Sequence, residues 1–382
     1  MSGSKIIPYG RQQIDEADIA AVMEVLRSDW LTTGPKVAEF EEAFAHFVGT
    51  AAAVAVSSGT AALHAAMYAV DLGPGDEVIV PPITFAATAN AVVFQGGRPV
   101  FADVDAEALL IDPQQVESKI TSRTKAIIAV DFAGQACDYE LLRALADRHG
   151  LRLVADACHS LGGLYKGRPV GSLADLNIFS LHPVKAITTG EGGVITTNDQ
   201  KLAQKMRMFR NHGISTDRQQ RDARGAWFYE MVDLGFNYRL TDFQCALGLS
   251  QLKKLPEWIA RRQALARRYG QALAKVPGVK PLVLRPAAAH AYHLYVVRVD
   301  SRKPGKDRDA VFRSLQAAGV KCQVHYIPVH LHPFYRQRFA TGPGLCPVAE
   351  KAYEQILSLP IYPGLTEKDQ DFVVASLQKA LT

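Results

Sequence analysis

Between residues 53 and 155 the sequence alternates short apolar segments with helical ones, and this pattern constrains the fold more than any other feature. The predicted strands cover residues 53–56, 77–80, 99–103, 126–131 and 151–155, and a predicted helix lies between each strand and the next. Short apolar strands joined by helices predict a mostly parallel sheet that is covered on both faces. Ligands of such sheets bind beyond the carboxyl ends of the strands, so the residues directly after each strand are candidates for a functional site.

The rest of the chain adds helices at both ends and a second unit. Apolar residues at helical spacing predict an N-terminal helix over 13–29, followed by a turn and a second helix. The turn contains Thr33 and is either a packed loop or a segment near a ligand. Beyond the sheet we predict the segments 243–255 and 258–273 to be separate helices, the latter with a solvated basic face, and strands near 293–299 and 323–327. A chain of 382 residues accommodates two domains, which we place at 1–250 and 251–382.

Composition excludes several classes of protein. A net charge of +5 is far below that of a nucleic-acid-binding surface, and no apolar stretch is long enough to span a membrane. The five cysteines are scattered, without the spacing of a metal site, which is typical of reduced thiols. The N-terminus has no apolar signal core. We therefore expect a cytoplasmic protein that binds neither nucleic acid nor membrane and holds no metal.

One lysine stands out from the surface lysines. Lys185 lies between the apolar runs 178–179 and 194–197, and the glycine-rich loop 190–193 follows it closely. This arrangement predicts a lysine on a tight bend rather than on a solvated helix face. A crowded amine loses its proton near neutral pH and can attack a carbonyl to form a Schiff base, although most lysines are ordinary surface residues.

Two further groups follow predicted strands. The segment Ser57-Ser58-Gly59-Thr60 opens a helix and offers free N–H groups and hydroxyls, so it is either a phosphate cradle or a plain helix cap. Asp156 ends an apolar strand, where a carboxylate is costly unless it is paired with something cationic. His159 would reach the same space, the alternative being a capping aspartate beside a core histidine.

Polar residues also gather at two places outside the sheet. Asn237 and Arg239 lie in an exposed loop before a capped helix. Four ring-bearing polar residues crowd one C-terminal loop: His325, Tyr326, His330 and His332. No carboxylate or HExxH spacing accompanies them, so we predict substrate contacts there rather than a metal.

These residues together fit pyridoxal phosphate, with Lys185 bonded to the cofactor, Asp156 against its ring nitrogen and its phosphate at Ser58-Gly59-Thr60. The sequence resembles the DegT/StrS nucleotide-sugar aminotransferases over nearly its whole length. The motifs that carry the resemblance are SSGTAAL, PPITFAATANA, VADACHSLG, FSLHPVKAITTGEGGVITTND and GFNYRLTDFQCALGLSQL. It implies the aspartate-aminotransferase-like fold (fold type I), with a mostly parallel seven-stranded sheet in a large domain and a smaller C-terminal α/β domain.

The resemblance also implies roles for individual residues. Phe85 would stack on the cofactor ring, Ser58 and Thr60 with Ser180 would bind its phosphate, and Asn237 would come from the other subunit of a homodimer. His159 stands where many members have glutamine, beside the phenolic oxygen of the cofactor. We expect Thr33, Arg239, His325 and Tyr326 to contact the substrate.

The implied reaction moves an amino group, with L-glutamate as the donor, to a nucleotide-linked 4-keto sugar. His159, the His182-Pro183 pair and the segment 323–326 resemble the branch of the family that acts in pseudaminic acid biosynthesis. Alternatives are C4 aminotransferases of the bacillosamine, perosamine or 4-aminoarabinose type, and a regulatory protein that binds the cofactor without turnover. Some relatives carry histidine in place of the lysine and dehydrate sugars, and Lys185 argues against that reaction here.

Overall fold

Seven strands form the central sheet of the computed structural model, which describes residues 6–215, 224–225, 227–300 and 307–382. The strands of this sheet are β1 (Ala52–Val56), β2 (Glu77–Val80), β3 (Arg98–Phe101), β4 (Thr124–Val130), β5 (Arg152–Asp156), β8 (Leu176–Ser180) and β9 (Gly193–Thr197). They lie in the order β1-β9-β8-β5-β4-β2-β3. Strand β9 runs against its neighbours β1 and β8, whereas the other pairings are parallel. The predicted mostly parallel, seven-stranded sheet is thus confirmed.

The other strands in the described part of the chain form three small sheets. Their bounds are β6 (Leu164–Tyr165), β7 (Arg168–Pro169), β10 (Ile214–Ser215), β11 (Glu230–Met231), β12 (Val279–Pro281), β13 (Ala288–Ala289), β14 (Tyr295–Val299) and β15 (Ile356–Leu359). Strands β12, β14 and β15 make the antiparallel sheet of the C-terminal part.

Helices cover these sheets. In the described residues they are α1 (Glu16–Leu26), α2 (Pro35–Val48), α3 (Gly59–Ala69), α4 (Ala87–Phe94), α5 (Pro113–Glu117), α6 (Tyr139–His149), α7 (Gln200–Phe209), α8 (Asp242–Leu273), α9 (Arg308–Ala317), α10 (Pro333–Phe339), α11 (Pro347–Tyr353) and α12 (Glu367–Leu381). Short 3₁₀ turns cover Phe132–Gly134 and Val329–Leu331. The described helices include none with both the length and the apolar character needed to cross a membrane.

Among the residues that the structure describes, two apolar clusters form the interior. The larger one contains the central sheet with the helices packed on it, and its strand β1 is buried along its whole length. The smaller one joins the last two turns of α8 to α9, α12 and the C-terminal sheet, and Ile7 belongs to it as well. The boundary proposed between residues 250 and 251 falls inside the continuous helix α8.

Three sequence predictions are wrong in this region. The predicted helices 243–255 and 258–273 are one helix, because Pro256 is accommodated within α8. The predicted solvated face of that helix does not hold for Arg262, which is 2 % exposed and donates to the carbonyl oxygens of Tyr292 and Ile361. The predicted strand 323–327 is also absent. Gln323 makes only an isolated bridge, to Ser358 of strand β15.

Candidate functional site

A cavity of about 460 Å³ lies at the carboxyl edge of the central sheet. Its walls include ten of the residues predicted for a site, namely Ser58, Gly59, Thr60, Phe85, Asp156, His159, Ser180, Lys185, His325 and Tyr326. They come together because β1, β5 and β8 are parallel at this edge of the sheet, so the segments after their carboxyl ends are neighbours.

Lys185 lies in the connection between β8 and β9. Its backbone N–H donates to the carbonyl oxygen of His182 over 2.9 Å, and the hydroxyl of Thr188 donates to the carbonyl of Leu181 over 3.0 Å, so the turn is held from both ends. The side chain is half-buried and borders the cavity. Burial lowers the pKa of its amine, against the opposing influence of Cys158 and Asp156. A lowered pKa leaves a larger share of the amine unprotonated and able to attack a carbonyl.

Asp156 is a buried carboxylate at the end of β5. Its Oδ2 accepts a hydrogen bond of 2.6 Å from the hydroxyl of Thr88, which lies 2.7 Å from the hydroxyl of Thr84, and Oδ1 accepts from the backbone N–H of Cys158. The charge of Asp156 raises the pKa of Lys185, but none of the residues that the structure describes forms an ion pair with Asp156. A buried carboxylate without a counter-ion suits a bound cation, and the protonated ring nitrogen of pyridoxal phosphate is one.

The N-terminus of α3 forms one end of the cavity. The side chain of Ser58 accepts from the backbone N–H of Ala61, which caps this 11-residue helix. Gly59 lies against Ser180, since a Cβ at position 59 would be 3.0 Å from the Cβ of Ser180. Position 193 also requires glycine, because a Cβ there would be 2.3 Å from the Ser58 carbonyl oxygen. Free N–H groups, hydroxyls and the helix dipole converge here, which suits a phosphate group.

Histidine and tyrosine rings form the opposite wall. The Nε2 of His159 is 3.1 Å from the hydroxyl of Tyr326, and its ring centroid is 4.4 Å from that of His293. Burial lowers the pKa of both histidines well below the usual range, and the nearby Lys185 lowers them further. Each imidazole is therefore neutral at physiological pH. The Nδ1 atoms of His159 and His293 are buried without a hydrogen-bond partner among the described residues.

Phe85 also borders the cavity, and its side chain is 61 % exposed. It directly follows the turn after β2, and its ring centroid is 6.2 Å from that of Tyr326. An exposed aromatic ring at the mouth of a cavity is available to cover a flat ligand. The fit to pyridoxal phosphate thus extends to its ring, its ring nitrogen and its phosphate.

Three predicted residues lie outside this cavity. Thr33 and Arg239 border a second cavity of about 860 Å³, and Arg239 donates to the side-chain oxygen of Asn211 over 2.7 Å. Asn237 pairs with Asn211 through an isolated backbone bridge. The single chain therefore does not bring Asn237, Thr33 or Arg239 to Lys185.

The histidines that crowd the C-terminal loop in sequence separate in space. His325 borders the first cavity and its Nδ1 is 2.9 Å from the hydroxyl of Ser358, whereas His330 is buried against Glu350. Within the described part of the chain, no three histidine, cysteine or acidic side chains form a group that could hold a metal ion.

Other residues of the cavity were not predicted for the site. Thr84 and Thr88 lie on either side of Phe85 in the motif after β2. Their place in that motif could have indicated that they belong to the site. Tyr9, His293 and Glu191 also border the cavity. Tyr9 and His293 are far from Lys185 in the sequence and lie in no motif of their own.

His290 is a third buried histidine near this wall, and it provides a test of the neutral state. Burial lowers its pKa to about 3, and its Nδ1 accepts from the backbone N–H of Tyr292 over 2.8 Å. The unfolded imidazole takes up a proton below pH 6.5, but the folded one does so only near pH 3. Between these values the unfolded chain binds more protons, so acid lowers the free energy of unfolding.

We expect His290 to account for a loss of about 2 kcal/mol between pH 7 and pH 5. The variant His290→Asn keeps an acceptor for the Tyr292 N–H but cannot take up a proton. Urea denaturation of both proteins at the two pH values should show wild type losing that much more stability than the variant. Equal losses would mean that His290 is already protonated in the folded state or remains accessible to solvent.

Comparison with known proteins agrees with this geometry. Residues 12–378 match the model of the DegT/DnrJ/EryC1/StrS aminotransferase family. The chain is 42 % identical to the spore coat polysaccharide biosynthesis protein SpsC of Bacillus subtilis, over 97 % of this chain and 96 % of that protein.

Solved structures are similar over the whole chain. The sugar aminotransferase Spr1654 of Streptococcus pneumoniae, described as putative and solved in its PMP form, superposes with a TM-score of 0.94 at 31 % identity, covering 98 % of this chain and 99 % of that one. It was also solved in a PLP form. PseC of Helicobacter pylori, an aminotransferase involved in the biosynthesis of pseudoaminic acid, superposes with a TM-score of 0.92 at 35 % identity, covering 99 % of both chains. This chain therefore belongs to the DegT/DnrJ/EryC1/StrS aminotransferase family, whose cofactor is pyridoxal phosphate.

Proposed function

We propose that this sugar aminotransferase converts a UDP-linked 4-keto-6-deoxy-N-acetylhexosamine to UDP-4-amino-4,6-dideoxy-N-acetyl-β-L-altrosamine, in pseudaminic acid biosynthesis, with L-glutamate as the amino donor. In the terms of the reaction this is a UDP-4-amino-4,6-dideoxy-N-acetyl-β-L-altrosamine transaminase. The observation that carries the aminotransferase reaction is the meeting of Lys185, Asp156 and the α3 N-terminus in one cavity. The similarity to PseC over the full chain supports the choice of sugar.

Each residue has a proposed task. When bound, pyridoxal phosphate supplies an electron-accepting ring that stabilises negative charge at the carbon losing its proton. The Nζ of Lys185 would take that proton from the α-carbon of the amino donor and deliver it to the cofactor, which its lowered pKa permits. Asp156 holds a proton on the ring nitrogen, and Thr88 orients the carboxylate through its 2.6 Å hydrogen bond.

The remaining residues bind and position. Ser58, Gly59, Thr60 and Ser180 hold the phosphate, and Phe85 covers the ring. His159 donates to the phenolic oxygen. On the substrate side we propose His325 and Tyr326 from the same chain.

The partner subunit of a homodimer completes the site in this proposal, supplying Asn237 to the phosphate and Thr33 and Arg239 to the substrate. Exposed apolar side chains support an interface near these residues, since Trp30, Leu31 and Leu234 are each at least half exposed in the single chain. All five cysteines are free thiols, which supports a reducing compartment such as the cytoplasm.

A second candidate is a C4 aminotransferase of another nucleotide-sugar pathway, of the bacillosamine, perosamine or 4-aminoarabinose type. The 42 % identity to a spore coat polysaccharide biosynthesis protein favours keeping it. A third candidate is a regulatory protein that binds the cofactor without turnover. A transamination assay distinguishes it from the other two, because it would show no activity.

The choice of sugar is tested with two 4-keto sugars that differ only at C5. The cofactor delivers the amino group from one face, so ring orientation decides which C4 epimer forms. We expect the UDP-linked 2-acetamido-4-keto-6-deoxy sugar of L-arabino configuration to exceed its D-xylo epimer in kcat/KM by about 10- to 200-fold, the effect of one misplaced contact. Initial rates with L-glutamate and each sugar separately give the ratio, and NMR identifies the products. Equal rates, or a preference for the D-xylo epimer, would favour the bacillosamine-type alternative.

The shared site is tested by mixing two inactive proteins. Lys185→Ala removes the reactive amine, and Asn237→Ala removes the phosphate contact that we assign to the opposite subunit. A mixed dimer would hold one site with both defects and one with neither, so we expect part of the wild-type activity to return, up to about a quarter when exchange is random. Subunit exchange is checked with two affinity tags. If exchange occurs and activity does not return, Asn237 acts within its own subunit.

A further inference from the structure

We infer that His293 binds the amino donor, and that the Nε2–H of its neutral ring donates a hydrogen bond to the α-carboxylate of that amino acid. The inference rests on the proposed aminotransferase reaction, but not on which amino acid or which sugar takes part. His293 lies in none of the sequence motifs, and the tasks proposed above do not include it.

The two ring nitrogens of His293 have different surroundings. Nδ1 is buried without a hydrogen-bond partner among the described residues. Nε2 also makes no hydrogen bond to a described residue, but it does not belong to the buried unpartnered atoms, so it is accessible. The side chain borders the cavity and the residue is only 6 % exposed. The edge of the ring that carries Nε2 is therefore the part that meets the cavity.

The position of the ring proton follows from these surroundings. Burial and the nearby charge of Lys185 lower the pKa of His293 well below its usual range, so the ring is neutral and carries one proton. On Nδ1 that proton would be part of a buried N–H without an acceptor, and such groups are rarer than unpaired buried acceptors. On Nε2 it can be donated to a group in the cavity. The favoured tautomer therefore presents a donor to the cavity.

The backbone fixes His293 from both sides. The N–H of Ala291 donates to the carbonyl oxygen of Gly134 over 2.9 Å, and the N–H of Leu294 donates to that of Ala133 over 3.1 Å. Gly134 has a φ of +108°, and a Cβ there would be 3.0 Å from the backbone nitrogen of His293. The donor is thus held in one place by packed backbone, as a specific binding contact requires.

A buried positive charge lies close to this wall. Arg262 donates to the carbonyl oxygens of Tyr292 and Ile361, each over 3.0 Å, and none of the described residues forms an ion pair with it. Burial lowers the pKa of its guanidinium to about 10, so it remains cationic at neutral pH. The charge of Arg262 also lowers the pKa of His293. The same field favours an anion at this wall over a neutral group.

The amino donor brings an anion to this place. Its α-carbon must lie beside the Nζ of Lys185, whose charge reaches His293, and the α-carboxylate is bonded to that carbon. His159, proposed for the phenolic oxygen of the cofactor, packs against His293 with ring centroids 4.4 Å apart. None of the described residues that line the cavity is an arginine, so within this chain the carboxylate depends on other donors. A carboxylate accepts hydrogen bonds and donates none, which matches an N–H.

The test compares two amides at position 293 in the enzyme with pyridoxal phosphate bound. Glutamine carries its amide at about the position of Nε2, whereas asparagine reaches only that of Nδ1. Both are polar, but only glutamine offers a donor to the cavity. The probe is the 2-methyl analogue of the amino acid that the wild-type enzyme uses, which is 2-methyl-L-glutamate in the proposed reaction. It keeps the carboxylate and has no α-proton for Lys185 to remove, so the change in cofactor absorbance measures binding alone.

We expect the Kd of the probe to rise by about 10- to 100-fold in His293→Asn and to stay within about threefold of wild type in His293→Gln. Equal Kd values in the two variants, both like wild type or both raised, would overturn the inference, because the reach of the donor would not matter. A Kd raised by about tenfold in His293→Gln, with cofactor bound, would overturn it even if the asparagine variant did not fold. A wild-type enzyme that uses another amino acid would contradict the proposed L-glutamate alone, and the same comparison then applies to the analogue of that amino acid.

Discussion

Lys185→Ala is expected to reduce transamination by at least about 10⁴-fold, the largest effect of any single substitution in this chain. Loss of a positioned acid–base group costs up to about that factor, and loss of the covalent attachment adds to it. The measurement is kcat with L-glutamate and the preferred 4-keto sugar, after saturation with pyridoxal phosphate. Borohydride should also attach the cofactor to the wild-type peptide that contains Lys185 and to no peptide of the variant.

The matched control is Lys201→Ala, which removes an exposed lysine on α7 and should leave both activity and labelling unchanged. A borohydride label on another lysine of the wild-type protein would contradict the assignment. So would turnover of the Lys185 variant within tenfold of wild type.

Asp156→Asn is expected to lower kcat by about 10²- to 10³-fold while the cofactor still binds. The amide has the shape of the carboxylate but no charge, so it cannot hold the proton on the ring nitrogen, and the loss equals that of a preorganised electrostatic contact. Turnover and the absorbance of the bound cofactor are measured on the same preparation. Near-normal turnover would remove Asp156 from the mechanism.

Thr88→Val provides a graded comparison at the same place. It keeps the volume of the side chain and removes only the hydroxyl that donates to Asp156 over 2.6 Å. A hydrogen bond to a charged group is worth about 1.5–3 kcal/mol, so we expect a smaller loss of about 10- to 100-fold. A loss equal to that of Asp156→Asn would mean that Thr88 contributes more than the orientation of the carboxylate.

The sequence by itself determined the sheet and the residues at its edge. Alternation of apolar strands and helices is a local signal, and it places the residues after each strand at one edge. Ser58, Asp156 and Ser180 each lie at the end of a strand or directly after it, and all three border the cavity. The family motifs lie in the same segments, so the sequence alone indicates the cofactor.

Contacts distant in sequence were decided only by the tertiary structure. The pairings Tyr326–His159 and His293–His159 join segments more than 130 residues apart, and no periodicity or spacing indicates such contacts. The neutral state of the histidines follows from burial by the assembled wall. The sequence predicts a solvated Arg262 because its helix is basic. In the structure it lies in the interior and donates to carbonyl oxygens of two distant segments. The free energy of such contacts depends on the surroundings that folding creates, and this information is not contained in any one segment.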